Sequence, residues 1–378
     1  MKTTRLAQLA SLAVVGSMAL AACGSDNTTG TTSAEGSSSS ASASESAATE
    51  CFSGTINAEG SSAQKNAIEE AIASYGEACA DAKLNYNPTG SGAGIKQFIA
   101  GQVDFAGSDS ALKTEGKDGA QSEAAQAEAF CGAPAWNIPM VTGPIAIAFN
   151  VKGIDKLVLT PAVAADIFSG KITSWDDAAI AALNKDAKLP ATPIKVFFRS
   201  DESGTTENFT KYLKAAAAEN WTADPAKKWT GAGEGKEKSA GVSEGVKSTD
   251  GGITYVEWSY AKDNKLGVAS IDNGGGAVEL TGEAVGKAVA AATQVGQGND
   301  LALKLDYATK EAGAYPILLV TYEIVCSKNK DAEKGKNIKA FLSHFASSDV
   351  QKGLEEIGYA PLPSEVQTKV VASIDALS

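Results

Sequence analysis

Three short Ser/Gly turns, each ahead of a helix-like pattern, hold the residues best suited to chemistry. They are Gly60-Ser61-Ser62-Ala63, Gly90-Ser91-Gly92-Ala93-Gly94 and Arg199-Ser200-Asp201-Glu202-Ser203-Gly204-Thr205-Thr206. A helix N-terminus presents free N–H groups and the positive end of the helix dipole. A Ser or Thr hydroxyl adds a donor there, and Gly lets an anion approach the backbone. The same hydroxyls serve in many proteins only as N-caps, a role compatible with anion contact because the cap sits beside the free N–H groups. Three such turns, one with an arginine, predict a cage for a small oxyanion. Arg199 offers a planar fork of donors with a permanent charge, and Asp201, two residues on, is placed to orient it.

The elements that must position these turns alternate between strand and helix. Strands are expected at 55–58, 83–86, 103–106, 145–150, 195–198, 253–257, 266–269 and 317–325. Helices are expected at 62–78, 95–100, 161–168, 176–183, 206–218, 336–345 and 348–356. This alternation means an α/β architecture. The Gly/Lys/Glu-rich stretch 231–247 shows little apolar pattern and reads as a loop. The 378 residues, 43% of them hydrophobic, exceed one typical domain. A net charge of −12 argues against nucleic acid as a partner. It does not exclude an anionic ligand, because charges beyond a Debye length of about 8–10 Å are screened.

Lys2 and Arg5 precede a short apolar run that ends Leu20-Ala21-Ala22-Cys23. This reads as a secretory signal over residues 1–22, too weakly hydrophobic for a membrane span. The four residues resemble the bacterial lipobox, which implies that Cys23 becomes the lipidated first residue of the mature chain. Residues 23–50, nearly all Ser, Thr, Ala, Gly and Glu, read as a disordered tether reaching about 30 Å. A lipid anchor and tether hold a soluble body near a membrane surface, outside the cytoplasm. The remaining Cys51, Cys79, Cys131 and Cys326 suggest two disulfides in an exported chain, with three pairings open. Cys51–Cys79 with Cys131–Cys326 is the expected set, since a strand–helix unit brings residues 51 and 79 to one side. Wide spacings and a single histidine make a metal site unexpected.

Several blocks together resemble the substrate-binding lipoprotein of the bacterial ABC phosphate importer. They are GSSAQ, NYNPTGSGAGIKQFIAGQVDFAGSDSAL, GPIAIAFNVKGIDKLVLTPAVAADIFSGKITSWDDAAI, RSDESGTTENFTKYL, ITYVEWSYA and FLSHFASSDVQKGLEEIGYAPLP. The resemblance covers about residues 53–365. It implies a two-lobe periplasmic-binding-protein fold, type II-like, with two crossovers near 139–143 and 315–318 and a ligand cleft between lobes. Lobe 1 would comprise 51–140 and 319–378, and lobe 2 would comprise 141–318. The family's phosphate positions carry over to Ser62, Ser91, Asp109, Arg199, Ser203, Gly204 and Thr205. Where many members have Thr-Phe, this chain has Ser62-Ala63. The implied partners are inorganic phosphate, an ABC permease with a cytoplasmic ATPase, and the membrane through Cys23, for a monomer that needs no cofactor.

Asp109 discriminates among ligands. An ionised carboxylate only accepts hydrogen bonds, so it suits an anion that carries a proton. Phosphate near neutral pH has an O–H to give, and sulfate has none. The competing readings are a receptor for another tetrahedral oxyanion and a phosphate-ester hydrolase. A hydrolase would need metal ligands or a nucleophile with a base. His344 sits among Phe341, Leu342 and Phe345 as a structural residue, and neither a nucleophile elbow nor a nucleotide loop is present. The chain therefore reads as a binding protein and not an enzyme.

Overall fold

The computed structural model describes residues 49–116 and 118–378. The expected signal segment, Cys23 and the tether through residue 48 lie outside the described residues. In chain order the elements are β1 (Gly54–Gly60), α1 (Lys65–Ala78), β2 (Ala82–Asn87), α2 (Ser91–Ile99), β3 (Phe105–Ser108), α3 (Glu123–Cys131), β4 (Ala135–Asn150) and β5 (Val158–Leu159). There follow α4 (Pro161–Phe168), α5 (Ala178–Leu183), β6 (Lys195–Arg199), α6 (Gly204–Ala216), β7 (Glu234–Lys236), α7 (Lys238–Lys247), β8 (Gly252–Glu257) and α8 (Trp258–Asp263). The remainder are β9 (Gly267–Val268), β10 (Ser270–Asp272), β11 (Ala277–Val278), α9 (Gly282–Ala290), β12 (Thr293–Gln294), β13 (Leu303–Lys304), β14 (Leu318–Cys326), α10 (Ala332–Phe345), α11 (Ser348–Glu356) and α12 (Ser364–Asp375).

One sheet runs in the order β2-β1-β3-β14-β4-β8-β6-β7, with β9 also against β4. Its centre is antiparallel. β4 pairs with β14 from Ala135↔Cys326 to Leu318↔Pro144, then with β8 from Ile145↔Glu257 to Asn150↔Gly252. β4 and β14 are buried on both faces, which their near-continuous apolar sequences require. The flanks are parallel: β1 with β2 and β3, and β6 with β7 and β8. Parallel strands place their carboxyl ends together, the usual position of a ligand crevice in α/β sheets. β1 ends at Gly60, β2 at Asn87 and β6 at Arg199, so these flank strands deliver the three site turns, and β3, ending at Ser108, delivers Asp109.

The apolar core divides into clusters. The largest draws mainly on residues between Ile145 and Leu319. A second joins Phe52–Tyr75, Phe105, Ile138–Val141 and the C-terminal Val325–Leu377. A third packs Ile95, Phe98 and Leu112 around Cys131. Aromatic rings fix α6 from behind: Phe209 stacks on Tyr255 at 4.6 Å between centroids and meets Phe168 edge-on at 4.8 Å. His344 lies against the Tyr75 ring, with Nε2 2.9 Å from Ser74 Oγ.

The stretch 231–247 is not the loop expected from its composition; it forms β7 and α7. Its apolar stripe is only Val242 and Val246, with the small Ser239, Ser243 and Gly245 also buried. Small residues allow close packing on β6 and β8 but give almost no periodic signal. The strand expected at 103–106 is seated two residues later, at Phe105–Ser108. Helix α3 was not anticipated, because its apolar residues are mostly alanines.

Cys51 pairs with Cys79, and Cys131 with Cys326. The second ties α3 to the end of β14 across a sequence separation of 195, the first closes a separation of 28. Chain entropy makes the longer bridge the stronger constraint on the unfolded chain, about 5 kcal/mol against about 3.6 kcal/mol. Urea unfolding should therefore show Cys131→Ser/Cys326→Ser to be less stable than Cys51→Ser/Cys79→Ser. Equal losses, or a reversed order, would mean that native packing and not loop closure dominates.

Candidate functional site

The first turn follows β1. Gly60 has φ +142°, and a Cβ there would stand 2.0 Å from the Gly107 carbonyl oxygen, so only glycine lets β1 and β3 approach this closely. Ser61 N–H donates to that carbonyl at 2.8 Å, and Gly90 N–H donates to the Gly60 carbonyl at 2.6 Å. The second turn is thereby clamped to the first. The third is clamped to the second by Gly92 N–H donating to Glu202 O at 3.0 Å and by a Lys96–Glu202 ion pair at 2.5 Å. Gly204, first residue of α6, allows another close approach: a Cβ would lie 2.5 Å from Asp109 Cβ and 2.6 Å from Ser91 Oγ.

Asp109 is buried at the end of β3. Its Oδ1 accepts from Ser61 Oγ and, at 2.8 Å, from Thr321 Oγ1 on β14; Oδ2 accepts from Ser91 Oγ at 3.0 Å. Asn208 Nδ2 donates to its backbone carbonyl at 2.7 Å. A carboxylate has about four acceptor sites, so three hydroxyls leave one free. Burial, opposed by those hydroxyls and assisted by the nearby charge of Glu257, pushes the Asp109 carboxyl up to about 6. It is still mostly ionised at neutral pH, and hence an acceptor.

Arg199 is 2% exposed. Its Nε donates to Asp201 Oδ1 at 2.7 Å and Nη2 to Asp201 Oδ2 at 2.5 Å, a bidentate pair. Nη1 faces Ser239 Oγ at 3.1 Å and Thr205 Oγ1 at 3.3 Å. Burial disfavours the guanidinium charge, but the hydrogen bonds and charge of Asp201 outweigh it and hold the group above its ordinary value. Burial likewise raises Asp201, and Arg199 overcomes it, leaving the carboxyl below its ordinary value. Lys238 N–H adds a bond to Asp201 Oδ1 at 3.0 Å. Lys238 is one of three non-glycine residues with positive φ among the described residues, at +61°, a strained conformation at the start of α7.

The other expected positions are placed as follows. Ser62 Oγ lies 3.0 Å from Ser239 Oγ and accepts from Ser239 N–H at 3.3 Å. Ala63 N–H donates to Ser61 Oγ at 3.0 Å. Ser203 caps α6, accepting from Thr206 N–H at 3.2 Å. Thr205 Oγ1 donates to Glu257 Oε1 at 2.5 Å. Sequence reasoning did not single out Ser61, Ser239, Glu257 or Thr321. Ser61 was visible inside the first turn, and Thr321 as a polar break in an apolar strand. Ser239 was hidden by the loop reading of its segment. Together the turns gather hydroxyls, helix-start N–H groups, one guanidinium and the Asp109 carboxylate with a spare acceptor site, while Glu257, buried beyond Thr205, keeps an unpartnered Oε2. That set has the chemistry to hold a tetrahedral oxyanion and to accept a proton from it. Among the described residues no group of three or more His, Cys, Asp or Glu is arranged for a metal ion.

A model described as a PBP superfamily domain matches residues 22–349. The chain is similar to the phosphate-binding protein PstS 3 of Mycobacterium tuberculosis, 42% identical over 385 residues and 100% of both chains. It is also similar to PstS 2 of that species, 41% identical over 384 residues with the same coverage. Among solved structures, a phosphate-binding protein from Stenotrophomonas maltophilia superposes with a TM-score of 0.65 at 22% identity, covering 85% of this chain and 94% of that one. A putative phosphate ABC transporter substrate-binding protein from Clostridium perfringens, with bound phosphate, superposes at 0.57 with 19% identity, covering 82% and 100%. These two structural likenesses bear on the fold.

The raised Asp109 carboxyl has a consequence for stability. In the ligand-free protein the native state holds this proton more tightly than the unfolded chain. The group's contribution is thus fully present below about pH 4 and is lost as pH rises to about 6. A shift of this size corresponds to about 3 kcal/mol. The unfolding free energy of wild type relative to Asp109→Asn should fall by that order across the window and stay level above it. A difference that does not change with pH would mean that Asp109 is not desolvated.

Proposed function

Because this chain belongs to the PBP superfamily, and within it to the phosphate-binding proteins it matches along its whole length, we propose that it is an extracytoplasmic phosphate receptor serving an ABC importer. The observation that carries the ligand assignment is Asp109: a buried carboxylate with three hydroxyl donors and one acceptor site left, beside hydroxyls, helix-start N–H groups and a guanidinium that can donate. A protonated phosphate fills that site with its O–H, whereas sulfate would bring a lone pair against a carboxylate. A misplaced acceptor in a dry site costs several kcal/mol, on the order of 10³-fold in affinity. Arg199, oriented by Asp201, neutralises charge without reading the proton. Ser62, Ser91, Ser203, Gly204 and Thr205 complete the proposed ligand set. Ser239 is added to it, since it touches both Ser62 and Arg199.

The proposed lobes are 51–140 with 319–378, and 141–318. The separate core clusters on either side of the β4–β14 pair support that division. Ligand contacts from both lobes would favour the closed arrangement within an open–closed equilibrium. Transport energy comes from the partner ATPase, and this chain acts as a binding protein and not as an enzyme. In this reading a signal peptide over 1–22 exports the chain. A lipid on Cys23 and the tether through residue 50 keep the monomer beside its permease.

Calorimetry of purified protein, first unfolded and refolded to remove carried ligand, should show one-to-one phosphate binding and weak or absent sulfate binding. Asp109→Asn should lose most of the discrimination while losing less phosphate affinity. Unchanged selectivity in that folded variant would remove Asp109 from its role. Arg199→Ala should weaken phosphate by about 2–3 kcal/mol, the worth of a charge-assisted hydrogen bond or more; near-wild-type affinity would exclude Arg199 as a main ligand. Equal binding of phosphate and sulfate would favour a general oxyanion receptor. Hydrolysis of a phosphate ester by metal-supplemented protein would favour the enzyme reading.

A further inference from the structure

On β14, near enough to Asp109 to feel its charge, lies a buried carboxyl that the proposed cage does not use. Glu323 on β14 is 0% exposed, and neither of its oxygens has a hydrogen-bond partner. It stands opposite Gly107 in the β14–β3 register. Directly opposed residues on adjacent strands are close neighbours. The space that a Gly107 side chain would take is filled by the Gln64 amide: a Cβ there would be 2.1 Å from Gln64 Nε2 and 2.5 Å from Tyr86 OH. Gln64 has an orphan of its own, since its buried Oε1 also lacks a partner.

These two deficits are complementary under one condition. A carboxylate only accepts, so it leaves the amide carbonyl unpaired. A neutral carboxylic acid has an O–H that the Gln64 carbonyl can take and still accepts through its other oxygen. Unpaired buried polar groups are costly and rare, so the arrangement favours the acid. The chain of contacts then continues toward the cage. Gln64 Nε2 donates to Tyr86 OH at 3.0 Å, Tyr86 OH donates to Ser61 O at 2.7 Å, and Ser61 Oγ donates to Asp109 Oδ1.

We propose that Glu323 is held as a neutral carboxylic acid paired with the Gln64 amide, that it positions Ser61 and Asp109 through Tyr86, and that its ionisation sets the alkaline limit of phosphate binding. The last part rests on the phosphate reading above. The titratable groups facing Glu323 are Asp109, beyond the end of β3, and Tyr86, on β2. The β4 residue opposite it is the apolar Ile138. Burial first, and the Asp109 charge in addition, push Glu323 up to about 8, against a lowering contact from Gln64. Tyr86 is raised well above its ordinary value by burial, with Glu323 adding to the rise. Asp109 titrates near 6. Among these facing groups, only Glu323 titrates in mildly alkaline solution. Ionised, it would place an unpaired charge behind Asp109 and break the link that holds Ser61.

The test is phosphate calorimetry of the full chain across neutral and alkaline pH for wild type, Glu323→Gln and Glu323→Ala. Gln can pair with the Gln64 amide without ionising, so it should restore affinity at neutral pH to within about threefold of wild type. Ala orphans Gln64 and should lose about tenfold or more. The ratio of wild-type to Gln-variant dissociation constants cancels the ligand's own titration. It should rise about tenfold per pH unit above about 8. A ratio that stays flat with pH would overturn the proposal. Infrared spectroscopy gives an independent reading. Wild type at neutral pH should show a protonated-carboxyl band that vanishes with a midpoint near 8 and is missing from Glu323→Gln. Absence of that band in wild type would also overturn it. If wild type bound no phosphate at any pH, the functional reading would fall with the alkaline limit, while the band would still decide the state of Glu323.

Discussion

A buried guanidinium is the constraint on which the site depends. Arg199 is withdrawn from water, and a lone charge in such a place costs several kcal/mol. Its bidentate pair with Asp201 meets that cost and fixes the plane of the fork. Asp201 in turn is held by a backbone N–H from Lys238, at the strained first residue of α7. The position of α7 brings Ser239 against both Arg199 and Ser62. One charge pair thus organises β6, the turn after it and α7. The same pairing leaves Nη1 facing the hydroxyls of Thr205 and Ser239, so the guanidinium is anchored on one edge and turned toward the cage on the other.

Glycine sets how tightly the rest can close. Gly60 lets β1 lie against Gly107, and Gly107 leaves room for Gln64 and Tyr86 behind the site. Gly204 lets the start of α6 come down on Asp109 and Ser91. At each place a methyl group would hit backbone or a site side chain. The glycines are therefore spacing elements between strands and helix starts. The hydroxyls they bring together set the hydrogen-bond count around Asp109.

Asp109 and Glu323 lie near one another in different environments. Asp109 has three hydroxyl donors, and ionisation near neutral pH is supported. Glu323 has no donor beyond what Gln64 can give, and its environment favours the proton. Burial is common to both, and hydrogen-bond supply separates them. In the proposed site, the acceptor offered to phosphate would be backed by a neutral group, which would avoid placing a second charge beside it.

Much of this was legible in the linear chain. Local chemistry writes itself into short segments: a Ser/Gly turn before a helix, an arginine two residues from an aspartate, a long apolar strand. Hence the α/β class, the three turns and the pairing of Arg199 with Asp201 could be read from residue types and spacing, whereas Asp109 was marked by the family's motif blocks. The motif blocks carried the family. What depended on contact between distant segments could not be read. Ser239 lies 177 positions from Ser62, in a helix whose stripe is two valines and small residues. Glu257 closes one expected strand and Thr321 lies inside another, and neither position says what it contacts. Glu323 lies inside the apolar run 317–325, and the sequence does not say what it meets there. Sequence alone determined which groups carry donors, acceptors and charge. The tertiary structure decided which of them share one dry volume, because burial, pairing and the protonation that follows belong to neighbours in space and not to neighbours along the chain.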